Sequence, residues 1–146
     1  MFRYDSASVA TAAFATSAAL FLLTGCAQLT NLAEKRHEEH FDTYAEASTG
    51  WVGVDIPAWI PADSVDIRSV ASTDETVAVI RATSPSALPD DCVTVNRTGI
   101  PVLDADWSVE KWPDEVALCG DYEVMAVEDG WLGWFNAATT GQTPEA

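Results

Sequence analysis

The chain has 146 residues, of which 23 are acidic and 7 are basic, so its formal net charge is −16. This length allows one compact domain of ordinary size. The charge argues against a nucleic-acid binder, because such proteins need a basic surface that neutralises phosphates. It would also repel an anionic membrane surface, so any membrane attachment has to be covalent or hydrophobic. The hydrophobic content of 48% is too high for a chain that is disordered throughout.

The first 26 residues carry the most specific signal in the sequence. Arg3 precedes an uncharged stretch at residues 7–23, which ends in a strongly apolar run. A stretch of this length and composition is typical of the apolar region of a secretory signal peptide, and it is marginal for a membrane-spanning helix. The sequence therefore predicts a signal peptide at residues 1–25 and an exported protein.

The next signal lies at the end of the apolar run. Leu23, Thr24, Gly25 and Cys26 resemble the lipobox of bacterial lipoproteins. The resemblance implies that a signal peptidase cuts between Gly25 and Cys26 and that Cys26 carries a diacylglycerol. Each buried acyl methylene contributes roughly 0.8 kcal/mol, so two chains anchor a protein stably to its partner, the lipid bilayer. The expected location is the extracytoplasmic face of the cell membrane. An ordinary signal peptide, or an uncleaved signal anchor, with a chance cysteine is the alternative.

Removal of residues 1–25 leaves the net charge at −16, because Arg3 and Asp5 cancel. All of the acidity then belongs to the exported part. Together with the lipobox and the abundance of Ala, Thr and Asp, this resembles the exported lipoproteins of Gram-positive actinobacteria. Beyond the signal peptide and the lipobox the resemblance is one of composition, and it implies no activity.

After the anchor, apolar residues recur at intervals of three and four. They are Leu29, Leu32, Ala33, Phe41, Tyr44 and Ala45. This spacing predicts an amphipathic helix over about residues 31–47, with Asn31 and Glu34 at capping-box spacing and Gly50 at its end. We expect residues 26–50 to form a helical tether between the lipid anchor and a globular domain at 51–136.

Two pairs of segments predict β-hairpins. Residues 65–68 alternate between apolar and polar, and residues 77–80 form a run rich in β-branched side chains. Residues 122–127 and 131–135 flank an Asp-Gly step, which is a strong hairpin signal. The predicted fold class is α+β: a small, mainly antiparallel β domain with two hairpins and one disulfide.

The segment between the hairpins is rich in proline and acidic residues. Pro113 and the residues up to Leu118 predict a short helical turn, with proline at its first position and Gly120 beyond its end. Residues 137–146 are small and polar and predict a disordered tail.

Two cysteines, Cys92 and Cys119, remain once Cys26 is lipidated. An even number in an exported protein predicts one disulfide. Its loop would contribute roughly 3–4 kcal/mol by the chain-entropy estimate. Two free thiols or a redox pair are the alternatives, although the C-x-x-C spacing of an oxidoreductase is absent.

Motifs that carry chemistry are few. The run from His37 to His40 offers two histidines and carboxylates to zinc, but it lacks H-E-x-x-H spacing, and a solvated helix stretch is the simpler interpretation. Asp104 and Asp106 suggest a weak calcium site, but the loop lacks the glycine and further ligands of an EF-hand. No G-x-S-x-G and no phosphate-binding glycine loop occurs. We therefore predict no catalytic residue, no metal centre and no cofactor.

All six tryptophans lie in the predicted exported domain: Trp51, Trp59, Trp107, Trp112, Trp131 and Trp134. Tryptophans fill the cores of small domains, and they also bind sugars, cations or peptides. Trp131 and Trp134 are an odd number of residues apart in a predicted strand, so they point to opposite faces. One of them can then be exposed, which makes this pair the candidate binding surface.

Three functional hypotheses follow. The first is a non-catalytic cell-surface lipoprotein whose domain binds an envelope protein or a cell-wall partner, and not nucleic acid. The second is an accessory solute- or cation-binding lipoprotein of the envelope. The third is a small hydrolase, which requires a pocket where two carboxyl groups converge.

Overall fold

The computed structural model describes residues 35–52 and 56–140. The predicted signal peptide, the lipobox and Cys26 lie outside these residues. The elements in chain order are β1 (Arg36–Thr43), α1 (Tyr44–Gly50), β2 (Val65–Ser72), β3 (Val77–Thr83), β4 (Val93–Asn96), β5 (Glu115–Cys119), β6 (Tyr122–Val127), β7 (Gly130–Asn136) and α2 (Ala137–Thr140). Within the described ranges, neither helix has the length and apolarity that crossing a bilayer requires.

The strands form one seven-stranded sheet in the order β1-β2-β3-β7-β6-β5-β4. All neighbouring strands are antiparallel. The two predicted hairpins, β2–β3 and β6–β7, are confirmed, and β3 and β7 join them along their full lengths. The mainly antiparallel β character of the prediction is therefore confirmed.

Strand β1 lies within the predicted tether helix. Over Arg36–Thr43 the chain is a strand paired with β2, and the helix begins only at Tyr44. The predicted helix is therefore wrong for these residues, and this part of the predicted tether is an edge strand of the sheet. Its side chains alternate, with Glu39 and Phe41 half-buried and His40 exposed. The apolar spacing misled because Phe41 and Tyr44 belong to two different elements.

Strand β5 replaces the predicted helical turn after Pro113. Glu115–Cys119 pairs with β4 on one side and with β6 on the other. Its side chains alternate between the two faces, and Val116 is 4% exposed. The ladders on both sides decide the conformation, and Pro113, which lies two residues before the strand, does not interrupt them.

The chain after β7 also differs from the prediction. Ala137–Thr140 forms the short helix α2 instead of a disordered tail. The Ala137 N–H donates to the Thr76 carbonyl oxygen at 2.8 Å, which ties this helix to the β2–β3 turn. Residues 141–146 of the predicted tail lie outside the described residues.

The predicted disulfide is confirmed. Cys92 and Cys119 are bonded, with an S–S distance of 2.05 Å. The bridge joins the residue before β4 to the last residue of β5, next to the pair formed by Val93 and Leu118. It therefore fixes the open end of the β4–β5 pair at the edge of the sheet.

Both faces of the sheet are covered. On one face, Ile67, Ile80, Ala82 and Val124 pack under Trp59 and Ile60; we call this the Trp59 face. The opposite face, the Trp134 face, has a second cluster under the irregular segment 97–114. Its buried members are Val70, Val79, Val116, Leu132 and Trp134, packed against Leu103, Trp107, Val109 and Trp112 of that segment.

Candidate functional site

The tryptophan pair singled out in the sequence is split between the two faces. Trp134 is 2% exposed within the Trp134 face, and Trp131 is half-buried against the opposite cluster. The prediction of opposite faces is confirmed, but an exposed pair is not formed. Trp131 Nε1 donates to the Ser86 carbonyl oxygen at 2.9 Å. Trp134 is therefore a covered residue of the Trp134 face and not an exposed surface aromatic.

The polar partner of Trp134 is a buried carboxyl group, Glu123 of β6. The Glu123 side chain is 7% exposed and stands opposite Trp134 in the register of β6 and β7. Its Oε2 accepts a hydrogen bond from Trp134 Nε1 at 2.9 Å. Its Oε1 accepts two from Thr98, from the backbone N–H at 2.6 Å and from Oγ1 at 3.0 Å. Glu123 therefore connects the sheet to the start of the covering segment.

All three of these contacts are made by neutral donors, which are partners suited to an ionised carboxylate. Among the described residues, no Lys, Arg or His forms an ion pair with Glu123. The nearby Arg97 directs its Nε to the Pro113 carbonyl oxygen and its Nη1 to that of Gly99. Burial of a carboxylate is costly when no counter-charge compensates it.

A cavity of about 310 Å³ lies beside Glu123. This is near the lower end of the range for ligand pockets. One part of its lining is apolar and comes from Val95, Leu118 and Trp134. The other part is polar and includes Asn96, Thr98, Asp121, Glu123, Asn136 and Thr139. The cavity thus combines an apolar wall with a set of convergent polar groups.

Strand alternation places Glu123 and Asn136 on the Trp134 face, because each is two residues from a residue of that cluster, Met125 and Trp134 respectively. Asn96, the last residue of β4, also lines the cavity. The tight turn between β5 and β6 contains Gly120, whose φ of +62° is a conformation that favours glycine. The turn brings Asp121 to the same end of the sheet.

A second opening separates β5 from β6. Their pairing ends at Ala117 and Val124, and beyond that point the two strands diverge. The space between them is a cavity of about 640 Å³ that is lined on different sides by Lys111, Trp112 and Trp131, among others. It is wider and more open than the Glu123 cavity, and no buried charge points to its occupant.

The two histidines of the candidate zinc motif lie on a strand and not on a helix, so they point to opposite faces of the sheet. They therefore cannot share one metal ion. His40 Nε2 lies 2.7 Å from Asp66 Oδ1, and Arg68 Nε donates to the same oxygen at 3.0 Å. Burial alone would raise the pKa of Asp66, but the hydrogen bonds from Arg68 and His40 outweigh it and hold this pKa below its ordinary range. Asp66 sits at a β-bulge with φ +47°, and this group ties β1 to β2.

The aspartates of the candidate calcium loop lie on the covering segment. Asp104 and Asp106 are exposed. Leu103, which precedes them, and Ala105, which lies between them, pack against the sheet. In residues 35–52 and 56–140, no group of three or more His, Cys, Asp or Glu side chains is placed to hold a metal ion. The structure therefore brings no calcium ligand set together here.

A carboxylate with two serines lies at the edge of the Trp59 face. Ser84 Oγ and Ser86 Oγ donate to the two carboxylate oxygens of Asp63 at 2.6 and 2.7 Å. These hydrogen bonds, the one from Ser84 first, hold the pKa of Asp63 below its ordinary range. Both hydroxyl protons are thus directed at a carboxylate, and both histidines of the chain lie on β1. This is a structural hydrogen-bond group and not an activated nucleophile.

Of the sequence candidates, then, only Trp134 belongs to the Glu123 cavity, and it does so as a hydrogen-bond donor. Sequence reasoning missed Glu123. The signal that could have found it was a glutamate within a strand, set opposite a tryptophan once the β6–β7 turn is fixed at Glu128 and Asp129. Comparison of the chain with protein-family models, with curated proteins and with solved structures finds no match. The functional conclusion therefore depends on the chemistry of this cavity.

Proposed function

We propose that this chain is a lipoprotein anchored through Cys26 to the extracytoplasmic face of the cell membrane, whose β-sheet domain binds a small polar ligand without catalysing a reaction. The observation that carries the binding function is Glu123, a buried carboxyl group that lines a cavity of about 310 Å³ and forms no ion pair with the Lys, Arg and His side chains of residues 35–52 and 56–140. A ligand that completes its pairing would compensate the cost of burying this group.

Two features support the anchored, extracytoplasmic location. The residues Leu23 to Cys26 match the lipobox pattern at each position. The disulfide between Cys92 and Cys119 fits an oxidising compartment, because such bonds are rare where thiols are kept reduced.

The contacts of Glu123 support binding over catalysis. A carboxylate hydrolase needs one acid that donates a proton to a leaving group. Asp121 and Glu123 line the same cavity, but the Glu123 carboxyl group accepts three hydrogen bonds that hold it in place. A carboxyl group fixed by donors is suited to holding a ligand.

The anchor is tested by growing bacteria that express the full chain with an alkyne-labelled fatty acid. We expect the wild-type protein to carry the label and to sediment with membranes, and the Cys26→Ala variant to lose both properties. Cys92→Ala is the matched control and should keep the label. Equal membrane retention of Cys26→Ala, with no label on the wild type, would contradict the anchor.

The binding function is tested by a screen of small polar compounds against the full chain, labelled with 5-fluorotryptophan and followed by ¹⁹F NMR. Trp134 reports on the cavity, and Trp131 on the opposite face is the internal control. A ligand of the cavity shifts the Trp134 signal saturably and leaves that of Trp131 unchanged. Leu118→Trp, which fills the cavity, should abolish the shift, whereas Val102→Trp at an exposed position should not. A screen without any saturable shift at Trp134 would contradict the function.

A second candidate function, binding of a protein partner in the envelope, is favoured by the opening between β5 and β6. There the backbone edges of two strands diverge beside Trp112 and Trp131, and such edges accept an added extended segment. A photo-crosslinking residue in place of Lys111 should capture a partner in intact cells, and the same residue in place of the exposed Val102 should not. Equal capture from both positions, or none from either, would contradict this function.

A further inference from the structure

We infer that the ligand of the Glu123 cavity is a small organic cation, a protonated primary amine with a short apolar chain. The inference rests on the proposed binding function and names the class of ligand at the same site. It joins three observations: a buried carboxyl group that forms no ion pair among the described residues, polar residues in the lining of the same cavity, and the apolar side chains of Leu118 and Trp134 on the strands that flank Glu123.

The charge of the site excludes an anion and disfavours a neutral ligand. An anion would meet Glu123 and Asp121 within a protein of net charge −16, and like charges at such distances repel strongly. A neutral ligand would leave the charge of Glu123 without compensation. A cation compensates it directly, and the field of the acidic protein raises the local concentration of cations.

The acceptors fit an ammonium group. An ammonium group has three donors and no acceptor. Among the described residues, Glu123 Oε2 has one hydrogen-bond partner, Trp134 Nε1, so it has a lone pair for a further donor. Asn96 and Thr98, whose side chains carry oxygen atoms that accept hydrogen bonds, line the same cavity. The donors of one ammonium group can thus be shared between the carboxylate and neutral oxygens.

The apolar part of the lining selects an organic cation over a metal ion. Val95, Leu118 and the indole of Trp134 offer no ligand to a metal. The described residues also lack a set of three or more His, Cys, Asp or Glu side chains placed for one. An apolar chain of a few carbons would bury against this part of the lining, and each methylene contributes roughly 0.8 kcal/mol. The volume of about 310 Å³ is large enough to admit a molecule of this size.

The test titrates the full chain, labelled with 5-fluorotryptophan, at pH 7 with three probes of one shape: propylammonium chloride, 1-propanol and sodium propionate. Sodium chloride keeps the ionic strength constant. We expect propylammonium to shift the Trp134 signal saturably, with the other two at least tenfold weaker and the Trp131 signal unchanged. Glu123→Gln should weaken propylammonium binding at least tenfold. Leu118→Trp should abolish propylammonium binding without removing the Glu123 carboxyl group. This second variant tests the inference if Glu123→Gln fails to fold.

The possible outcomes distinguish failure of the cation inference from failure of the proposed binding function. Saturable binding of propanol or propionate in the cavity, with propylammonium weaker, would overturn the cation inference and leave the binding function standing. Calcium chloride that shifts Trp134 where propylammonium does not would also overturn it, in favour of a metal ion. Equal propylammonium binding by wild type and Glu123→Gln would remove the carboxylate from the explanation. The absence of a saturable shift with every probe overturns the cation inference, and the wider screen then decides the binding function.

Discussion

The two faces of the sheet each bury one tryptophan to the same extent, and they use it differently. Trp59 and Trp134 are both 2% exposed. The Trp59 ring lies against the backbone of Gly133, where any larger residue would overlap it, and its Nε1 has no hydrogen-bond partner among the described residues. Trp134 Nε1 donates to Glu123 beside a cavity.

The difference shows what separates a core from a candidate site in this small domain. On the Trp59 face, the Trp59 ring is closely packed although its Nε1 has no hydrogen-bond partner among the described residues. On the Trp134 face, the same type of side chain holds a carboxyl group in place, and the packing leaves space beside it. Trp59 and Trp134 are equally buried and both aromatic, so the features that distinguish the candidate site are the acceptor Glu123 and the cavity beside it.

The largest loss of stability is expected from Trp59→Ala. Truncation of a buried tryptophan costs about 3–5 kcal/mol of unfolding free energy, because the cavity that remains is only partly refilled. Urea denaturation followed by circular dichroism measures this loss. If the Trp59 face is a closed core, Trp51→Ala, at a half-buried position, should lower the unfolding free energy by less than Trp59→Ala does. A loss below about 1 kcal/mol for Trp59→Ala would show that this face is not the core.

Removal of the disulfide comes next. The double variant Cys92→Ser, Cys119→Ser should lose about 3–4 kcal/mol of unfolding free energy, because the unfolded chain regains the freedom of a long loop. The bridge packs with the Trp59 cluster, so this effect belongs to the core face. The wild type in a reductant should reach the same urea midpoint as the double variant. A wild type that keeps its midpoint after verified reduction of the bond would contradict the estimate.

A pair of matched substitutions compares the two faces directly. Trp134→Phe removes the donor to Glu123 and leaves its acceptor unpaired, which costs about 1–3 kcal/mol beyond the lost volume. Trp59→Phe loses the same atoms but removes an N–H without a partner. We therefore expect Trp134→Phe to be the more destabilising of the two in urea denaturation. Equal losses would mean that the hydrogen bond to Glu123 contributes nothing to stability.

The smallest effect concerns the pair that fixes the covering segment. Arg81 donates to Asp129 at 2.8 Å and to the Trp107 carbonyl oxygen at 3.0 Å, and its hydrogen bond holds the pKa of Asp129 below its ordinary range. A lowered pKa stabilises the fold above the ordinary aspartate range, and this contribution is lost as the pH falls through the pKa of the folded state.

Asp129→Asn should therefore lower the stability by less than about 1 kcal/mol at pH 7, because the pair is half-exposed. The difference between the variant and the wild type should shrink between pH 7 and pH 2, because the wild-type carboxyl group gains a proton as the pH falls through its lowered pKa. Thermal unfolding at the two pH values measures it. A difference that is the same at both pH values would assign the effect to the shape of the side chain and not to its charge.

The parts of this fold that were predictable are those decided within a few neighbouring residues. The turn at Glu128 and Asp129 and the alternation around it determine the β6–β7 hairpin, and the cysteine count determines the bridge. Strand β1 was not predictable in this way, because its conformation depends on pairing with β2 across the intervening helix and loop. Strand β5 likewise depends on neighbours on both sides.

The candidate site was harder to predict from the sequence than the hairpins and the disulfide. The hairpin register alone aligns Glu123 with Trp134, and a glutamate in that position is visible in the sequence. Its burial is not visible, because the cover is an irregular segment without periodicity. Thr98, which donates twice to Glu123, belongs to that segment. Local patterns thus predicted strand β6. The burial of Glu123 depends on the distant segment 97–114, which no local pattern predicts.

The order of the strands also determines how the domain would stand on a membrane. Strand β1 forms one edge of the sheet, and the Glu123 cavity is built by β4, β5, β6 and β7 toward the other edge. Six strand spacings of about 4.8 Å separate the two edges, which is roughly 30 Å. If Cys26 is the anchor proposed above, the ten residue steps from Cys26 to Arg36 allow the start of β1 to lie at most about 35 Å from the lipid. The cavity would then lie toward the edge of the sheet farther from the point where the chain leaves for the membrane.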